Sequence, residues 1–266
     1  MGISATEEHI TLKVRNLNIG YQAKNKNTLI AEDIHFDLAR GQLAAIVGIN
    51  GIGKSTLLRT LGAVQPRISG DIRIHDKALE SYSSTQLAEE LSLVLTESVA
   101  SKNLTVRELI GLGRQPYTNW IGTLSTKDQK IITNAIQRVG LENIASKKCY
   151  ELSDGQLQKV MVARALAQDT AVMFLDEPTT HLDLFHKVQI IKLLRSIAHE
   201  TGKTILYTTH EIELAIQLCD KMLIMEQGKS TFGAPCDLIE QKSFEALFPA
   251  ETILFDPNTG SFRIQN

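Results

Sequence analysis

The sequence is poor in long apolar runs and in excess charge of either sign, and each scarcity excludes a class of protein. Its longest apolar runs, such as residues 43–47, hold about five residues, whereas a membrane-spanning helix needs about 18. We therefore expect that the chain does not itself span a membrane. The 28 Lys and Arg and 30 Asp and Glu leave a net charge of −2. Because nucleic-acid binding requires a basic domain or stripe, we predict no nucleic-acid partner.

Cysteine is also scarce, since the 266 residues include only Cys149, Cys219 and Cys236. Their number and spacing match no metal site, and a reduced, cytosolic setting is the simplest interpretation. His181 and His186 are five residues apart and would not share a helix face, so we expect no zinc site there.

Short apolar segments alternate with helix-like segments along most of the chain. Residues 28–38 are a predicted strand, because Ile34, Phe36 and Leu38 alternate with polar residues at period two. The other predicted strands are residues 10–20, 43–47, 72–74, 171–175, 204–208 and 222–225. The predicted helices between the strands are residues 54–62, 185–199 and 211–219. This alternation indicates an α/β fold with a mostly parallel sheet covered by helices on both faces.

The stretch from residue 84 to residue 151 is helical in character instead. Thr105 and Glu108 have the spacing of a capping box, and residues 125–140 carry apolar side chains at helical spacing. We therefore predict an inserted helical subdomain and, near the end of the sequence, a turn at residues 256–260. The predicted division is, in chain order, core 1–90, helical insertion 91–151, core 152–235 and C-terminal extension 236–266.

A glycine-rich segment follows the predicted strand of residues 43–47 and precedes a helix. Residues 48–55, GINGIGKS, match the phosphate-loop pattern G-x-x-x-x-G-K-[ST]. Glycines let backbone N–H groups turn toward one anion, and the following helix directs its positive end at the same point. Lys54 would neutralise the β and γ oxygens, and the Ser55 hydroxyl would be a Mg²⁺ ligand. The predicted ATP-binding residues of this segment are Gly48, Asn50, Gly51, Gly53, Lys54, Ser55 and Thr56.

Two acids, Asp176 and Glu177, end the apolar run of residues 171–175. At the carboxyl end of a parallel strand, Asp176 can reach a Mg²⁺ ion beside the phosphate loop. Adjacent strand residues point in opposite directions, so Glu177 must do a different job, and we predict that it polarises the attacking water as general base. The alternative is a pair of solvated acids, which the phosphate loop upstream makes a poor explanation. By itself, the loop fits many nucleotide enzymes, including kinases and GTPases.

Further residues resemble a known family. Residues 152–156, LSDGQ, resemble the signature sequence of the ABC ATPases, and residues 179–183, TTHLD, are similar to the D-loop of that family. His210 is similar to its switch histidine, and Tyr21 to its adenine-stacking aromatic. The resemblance covers residues 10 to 235. It implies a P-loop NTPase, RecA-like α/β core with an antiparallel β subdomain and an inserted α-helical subdomain.

The activity that this resemblance implies is hydrolysis of ATP with Mg²⁺, with Lys54, Glu177 and His210 as catalytic residues. Two assignments keep an alternative. Tyr21 could be an ordinary aromatic of an edge strand, and His210 could be a structural histidine. A functional role is nevertheless favoured, because a histidine at a strand end that faces phosphates is often part of a functional site.

The signature segment also has a physical logic of its own. Ser153 and Gln156 have the spacing of a capping box, so a helix begins at Ser153 and offers a second anion site. In the family a second subunit supplies this site head to tail, which implies a homodimer with two ATP molecules between its subunits. The residues that would contact ATP in trans are Ser153, Gly155, Gln156 and Asp183.

The sequence departs from the family pattern at two positions. Asp154 stands where glycine is usual, and its carboxylate should point away from the γ-phosphate, toward the N–H groups of its own helix. Thr96 stands where a glutamine usually joins the metal site. Thr96 or Glu97 could take its place, or water could, so Thr96 is a candidate metal-site residue.

The resemblance implies a peripheral subunit on the cytoplasmic face of the membrane that drives import through separate transmembrane permease subunits. We expect residues 96–120 to dock on the permease. Residues 113–117 and 178–183 look like those of importer ATPases for iron chelates, such as siderophores or haem, or for cobalamin. Such importers also use an extracytoplasmic substrate-binding protein. The alternatives are an ABC ATPase of another transporter, a non-hydrolysing nucleotide-dependent regulator, or a DNA-repair or chromosome ATPase, for which the required long coiled coil is lacking.

Overall fold

The computed structural model describes residues 9–23, 26–96, 102–249 and 251–265. In chain order the strands are β1 (Ile10–Ala23), β2 (Lys26–Ala39), β3 (Leu43–Val47), β4 (Ser69–Ile74), β5 (Lys77–Ala78), β6 (Leu91–Val94), β7 (Val172–Leu175), β8 (Thr204–Thr208), β9 (Lys221–Glu226), β10 (Lys229–Gly233), β11 (Ile253–Asp256) and β12 (Ser261–Ile264). The α-helices are α1 (Lys54–Leu61), α2 (Ser84–Glu90), α3 (Val106–Gly111), α4 (Thr126–Arg138), α5 (Asp154–Ala167), α6 (Leu184–Thr201), α7 (Ile212–Leu218) and α8 (Pro235–Glu240). None of the helices in these ranges is both long and apolar enough to cross a bilayer.

A six-stranded sheet with the order β10-β9-β3-β8-β7-β6 lies at the centre of the fold. Its strands are parallel except β10, which pairs antiparallel with β9. A second, antiparallel sheet has the order β2-β1-β4-β5. The rings of Phe36 in β2 and Phe232 in β10 lie 5.5 Å apart, so the two sheets meet at this edge. Both the mostly parallel sheet and the antiparallel β subdomain of the predicted P-loop NTPase fold are confirmed.

The six-stranded sheet is buried on both faces because successive residues of its strands belong to two different apolar clusters. In β3, Ala44 and Ile46 pack with α1 and the antiparallel sheet. Leu43, Ala45 and Val47 pack on the other face with side chains of α4, α5 and α6. This two-sided burial explains why β3 is uniformly apolar rather than alternating in polarity.

The helical segment follows β6 and contains α3 and α4, which begin at capping boxes formed by Thr105 and by Ser125. Prediction and structure differ at its start. Leu91–Val94 form β6, an edge strand of the six-stranded sheet, although the predicted insertion begins at residue 91. The pattern there is only four residues long and directly follows a helix, so its periodicity does not distinguish it from the helical stretch. The division of the chain into domains stays a prediction.

A buried ion pair joins this segment to the far end of α5. Arg114 Nε donates to Asp128 Oδ1 at 2.8 Å, and an Arg114 Nη1 hydrogen bond of 2.9 Å reaches the Ala167 carbonyl oxygen at the last turn of α5. Both charged side chains are buried. The Ser125 hydroxyl and then Arg114 hold the pKa of Asp128 at about 2, below its ordinary value of 3.8. The pair therefore fixes the distal end of α5 on the helical segment.

The C-terminal residues form a hairpin of β11 and β12, and Gly260 N donates to Asp256 O across the predicted turn. The ring of Phe255 packs on those of Phe244 and Phe262, and Phe262 N donates to Glu213 Oε1 in α7. The hairpin therefore rests on the helix that follows β8.

Candidate active site

The phosphate loop joins β3 to α1, so the predicted residues Gly48 to Thr56 lie together at the carboxyl end of β3. Gly53 is the N-cap residue of α1 and has φ of 110°, a conformation that L side chains rarely adopt. At Gly48, an added Cβ would lie 2.5 Å from the Met225 carbonyl oxygen. Glycine at these two positions lets the loop fold tightly against its neighbours.

Lys54 is the first residue of α1, and its side chain bends back over the loop. Its Nζ donates to the carbonyl oxygens of Gly48 at 2.8 Å and Ile49 at 3.1 Å. Burial lowers the pKa of this ammonium, while the carboxylates of Glu177 and Asp176 oppose the shift. Its hydrogen-bond partners among the described residues are neutral carbonyls, which leaves the positive charge available to phosphate oxygens.

Asp176 directly follows β7 and lies among hydroxyl groups from three other segments. Its Oδ1 accepts from Ser55 Oγ at 2.9 Å and from Thr208 Oγ1 at 2.7 Å, and its Oδ2 accepts from Thr96 Oγ1 at 3.1 Å. The residue is only 3% exposed. The structure thus brings together Ser55, Thr96 and Asp176, the three residues predicted for a metal site.

Thr208 is a site residue that was not predicted from the sequence. It ends β8, the parallel neighbour of β7, and its Oγ1 also accepts from Glu177 N at 2.8 Å. The sequence did hold a signal for it, because parallel strands end at the same edge of a sheet. A hydroxyl residue at the end of β8 therefore lies beside the acids that follow β7.

Glu177 contacts different groups from Asp176, as expected for adjacent residues. Its Oε1 lies 2.5 Å from His210 Nε2, and its Oε2 accepts from Thr180 Oγ1 at 3.1 Å. Its φ of 47° is a conformation that non-glycine residues rarely adopt. This strained turn after β7 directs the carboxylates of Asp176 and Glu177 apart. His210, which follows β8, contacts the carboxylate of Glu177.

Tyr21 lies near the end of β1, beside the first turn of α1. Its hydroxyl is 3.4 Å from Thr56 Oγ1, and the side chain is 55% exposed. A ring held at its hydroxyl end with an open face next to the phosphate loop can stack on a flat aromatic ligand.

The signature segment begins α5 as predicted. Ser153 Oγ accepts from Gln156 N, and Gln156 Oε1 accepts from Ser153 N, which forms a complete capping box. Gly155 packs against His186 so closely that an added Cβ would lie 3.0 Å from His186 Cδ2. His186 Nδ1 in turn lies 2.9 Å from the carboxylate of Asp183, the N-cap residue of α6. The four residues predicted to act in trans therefore lie on two neighbouring helix starts.

Asp154 lines a cavity of about 300 Å³ with Thr96, Asp176 and Glu177, and the N–H of Gln156 is capped by Ser153. The expected direction of the Asp154 carboxylate, away from the γ-phosphate, stays a prediction. Glu97, the other candidate for the missing glutamine, lies outside the described residues.

Comparisons with known proteins agree with this geometry. The profile of the family described as ABC transporter matches residues 31–180, more than half of the chain. The chain is 34% identical to the iron(3+)-hydroxamate import ATP-binding protein of Bacillus subtilis, over 94% of this chain and 92% of that protein. It is 30% identical to the cobalamin import ATP-binding protein of Halobacterium salinarum, over 96% of this chain and 63% of that protein.

Among solved structures, an inward-facing metal-chelate type ABC transporter matches with a TM-score of 0.78 and 28% identity, over 90% of this chain and 89% of that chain. The matched family profile spans the phosphate loop, the acidic strand end and the signature segment together. The chain therefore belongs to the ABC transporter family and is one of its ATP-binding, ATP-hydrolysing subunits.

Proposed function

We propose that this subunit hydrolyses ATP to drive import of an iron chelate, such as a siderophore or haem, or of cobalamin. The observation that carries the hydrolytic part is the contact of Glu177 with His210 beside the buried cluster of Asp176. The cargo class rests on the importers that the chain resembles over most of its length.

Each phosphate-side residue has a defined task in this proposal. The backbone N–H groups of residues 48–55 and the Lys54 ammonium bind the phosphates, and Tyr21 stacks on the adenine. Mg²⁺ prefers hard oxygen ligands, and the oxygen atoms of Ser55, Asp176 and Thr96 fit that preference. When bound, the ion neutralises charge on the β and γ oxygens.

Glu177 is the general base in this scheme. Its carboxylate accepts a proton from the attacking water as the water oxygen bonds to the γ-phosphorus and the bond to the β–γ bridging oxygen breaks. His210, at 2.5 Å, holds the carboxylate in place. Asp176 is buried among three hydroxyl donors beside the proposed metal site, so it is poorly placed for the same proton transfer.

The signature side is proposed to serve a second copy of the chain. Ser153, Gln156 and Asp183 are exposed at the two helix starts, whereas Gly155 is buried against its own chain. Helix starts attract anions, so a partner's γ-phosphate can bind between them. The proposed assembly is a two-fold symmetric homodimer with two ATP molecules at its interface.

The permease is proposed to dock on the described part of residues 96–120 and its surroundings. Trp120 is 93% exposed, and the nearby side chains of Ile121 and Leu112 are exposed too. A largely apolar cavity of about 750 Å³ opens beside them, lined by Leu104 and Leu124 among others. Large exposed apolar side chains next to a cavity are typical of an interaction surface. The chain then acts at the cytoplasmic face of the membrane, with an extracytoplasmic binding protein delivering the cargo to the permease.

Uptake measurements test the cargo. Cells lacking this chain should fail to take up at least one of a ferric siderophore, haem or labelled cobalamin. The wild-type chain and the matched control Glu240→Gln, at an exposed glutamate, should restore uptake, and Glu177→Gln should not. Normal uptake of all three, together with a defect for an amino acid, a sugar or drug efflux, would contradict the cargo while leaving the ATPase intact.

Crosslinking tests the docking surface. A photocrosslinker at Lys102 or Tyr117 should reach a co-expressed permease, because both lie in the proposed docking segment. Crosslinks that form only from residues after Pro235 would place the permease elsewhere.

A further inference from the structure

The segment that carries His210 is tied to α6 by an ion pair to which the proposed function gives no role. Lys187 Nζ lies 2.5 Å from Glu211 Oε1, and the side chains are 23% and 35% exposed. Lys187 stands in the first turn of α6, and Glu211 directly follows His210. We propose that Lys187 and Glu211 are a positioning pair that sets His210 against Glu177, an inference that rests on the proposed hydrolytic roles of these last two residues.

The His210 segment has few other attachments. Thr209 N donates to Ile46 O at 3.1 Å, and Glu211 N donates to Thr209 Oγ1 at 3.0 Å. Glu211 is the N-cap residue of α7, and its side chain forms no capping hydrogen bond. The His210 side chain itself is 42% exposed. Lys187 reaches this segment from a different helix, α6.

The opposite end of the pair is rigid. Lys187 N donates to Asp183 O at 2.9 Å, and Asp183 also accepts from His186 N at 2.9 Å. These bonds fix the first turn of α6, and Lys187 with it, on the residue proposed to face the second copy. The pair thus connects Asp183 at the dimer surface to His210 at the hydrolytic carboxylate, in one chain and through consecutive contacts.

The sizes of the effects on turnover and on folding stability distinguish a positioning role from a merely structural one. A partly exposed ion pair such as this one contributes little to folding stability. A displacement of a catalytic group by about 1 Å can nevertheless lower turnover by up to about 100-fold. A positioning pair should therefore affect kcat strongly while leaving the melting temperature and ATP affinity nearly unchanged.

The test is steady-state ATP turnover of the purified full-length chain. Lys187→Met should lower kcat about tenfold, with KM for ATP within about twofold of wild type and a Tm shift below about 2 °C. Lys187→Arg should recover most of the rate, because it keeps the charge. The matched control is Lys192→Met, which removes an exposed lysine of the same helix and should leave turnover unchanged. Glu211→Gln, which is nearly isosteric, gives the same test from the other partner and should lower kcat similarly.

A double-variant comparison identifies the residue through which the pair acts. In a His210→Ala background, Lys187→Met should reduce the residual turnover no further, because the positioned group is gone. An equal reduction in both backgrounds, or full turnover of both Lys187→Met and Glu211→Gln, would overturn the positioning role alone. A wild-type chain whose turnover is the same as that of Lys54→Ala would overturn the proposed function and the pair with it.

Discussion

The phosphate side of this chain, residues 48–56 with Asp176, Glu177 and His210, is built in the opposite way from the signature side, residues 153–156 with Asp183. On the phosphate side, Asp176 meets Ser55 from 121 residues away and Thr208 from 32 residues away. On the signature side, the polar caps are made within one helical turn and face outward. One side is completed by the fold of a single chain. The other presents finished helix starts, which we propose that a second chain uses.

The largest expected effect is on ATP turnover and tests the phosphate side, which a single chain completes. Glu177→Gln should keep ATP binding but lower turnover by about 10²- to 10⁴-fold, because the amide cannot accept the proton of water. Turnover and nucleotide binding of the purified protein measure this, and size-exclusion chromatography with ATP should show accumulation of a dimer. Lys54→Ala should lose affinity as well, since the phosphate charges then go unpaired. Near wild-type turnover of Glu177→Gln would remove it from the role of base.

A mixing experiment tests whether the signature side acts in trans. Ser153→Arg and Lys54→Ala should each lower turnover about 100-fold or more, the first because it blocks the helix start facing the partner's phosphate. An equal mixture should recover roughly a quarter of wild-type turnover, since a mixed dimer combines one intact phosphate loop with one intact signature. If the mixture is no more active than either variant alone, Ser153 does not serve a partner.

Arg114 holds the end of α5, the helix that begins at the signature segment, so substituting it disturbs the signature side without changing a capping residue. Arg114→Met should lower the free energy of unfolding by about 3–5 kcal/mol, because it leaves Asp128 buried without its partner. Urea unfolding measures this change. Arg107→Met, at a more exposed arginine of the same segment, is the control and should change stability far less.

The low pKa of Asp128, set first by the Ser125 hydroxyl and then by Arg114, predicts a pH dependence of stability with a definite sign. Because the folded pKa of Asp128 is about 2 and the ordinary value is 3.8, its contribution is complete above about pH 4 and is lost as the pH falls toward 2. Unfolding between pH 5 and pH 2 should therefore be less steeply pH-dependent in Asp128→Asn than in wild type. If the free energy of unfolding of both proteins depends equally on pH, the low folded-state pKa of Asp128 is contradicted.

The smallest effect concerns Tyr21 at the rim of the phosphate side. Tyr21→Ala should raise KM for ATP roughly fivefold to thirtyfold with little change in kcat, because stacking on a base contributes about 1–2 kcal/mol. Tyr21→Phe should retain nearly wild-type KM. Wild-type KM in Tyr21→Ala would favour the alternative that Tyr21 is an ordinary edge-strand aromatic.

Local patterns carried most of the fold prediction. The phosphate loop, the acidic strand end and the capping boxes at Thr105 and Ser153 each lie within a few residues, so their spacing alone located them. The strands β6 and β10 were missed because the first is four residues long beside a helix and the second is a partly polar edge strand. β6 is fixed by pairing with β7, which is distant in the sequence, whereas β10 is fixed by pairing with β9, the strand directly before it.

Contacts between distant segments were the part of the site that the sequence could not specify. The hydroxyl of Thr208 on Asp176 and the pairing of Lys187 with Glu211 depend on how β8, α6 and α7 pack. No spacing rule connects residues on separate elements, so such contacts become visible only once the sheet order is known.

The contact between Gly155 and His186 changes how a mutation in the signature should be interpreted. Any side chain at position 155 must displace an imidazole that its own chain holds on Asp183, before a partner's nucleotide is ever approached. Loss of activity after Gly155→Ala would therefore report a shift between two helices of one subunit as much as a lost contact with ATP. Because the side chains at positions 155 and 186 compete for the same space, a substitution at one position should be tolerated only with particular residues at the other.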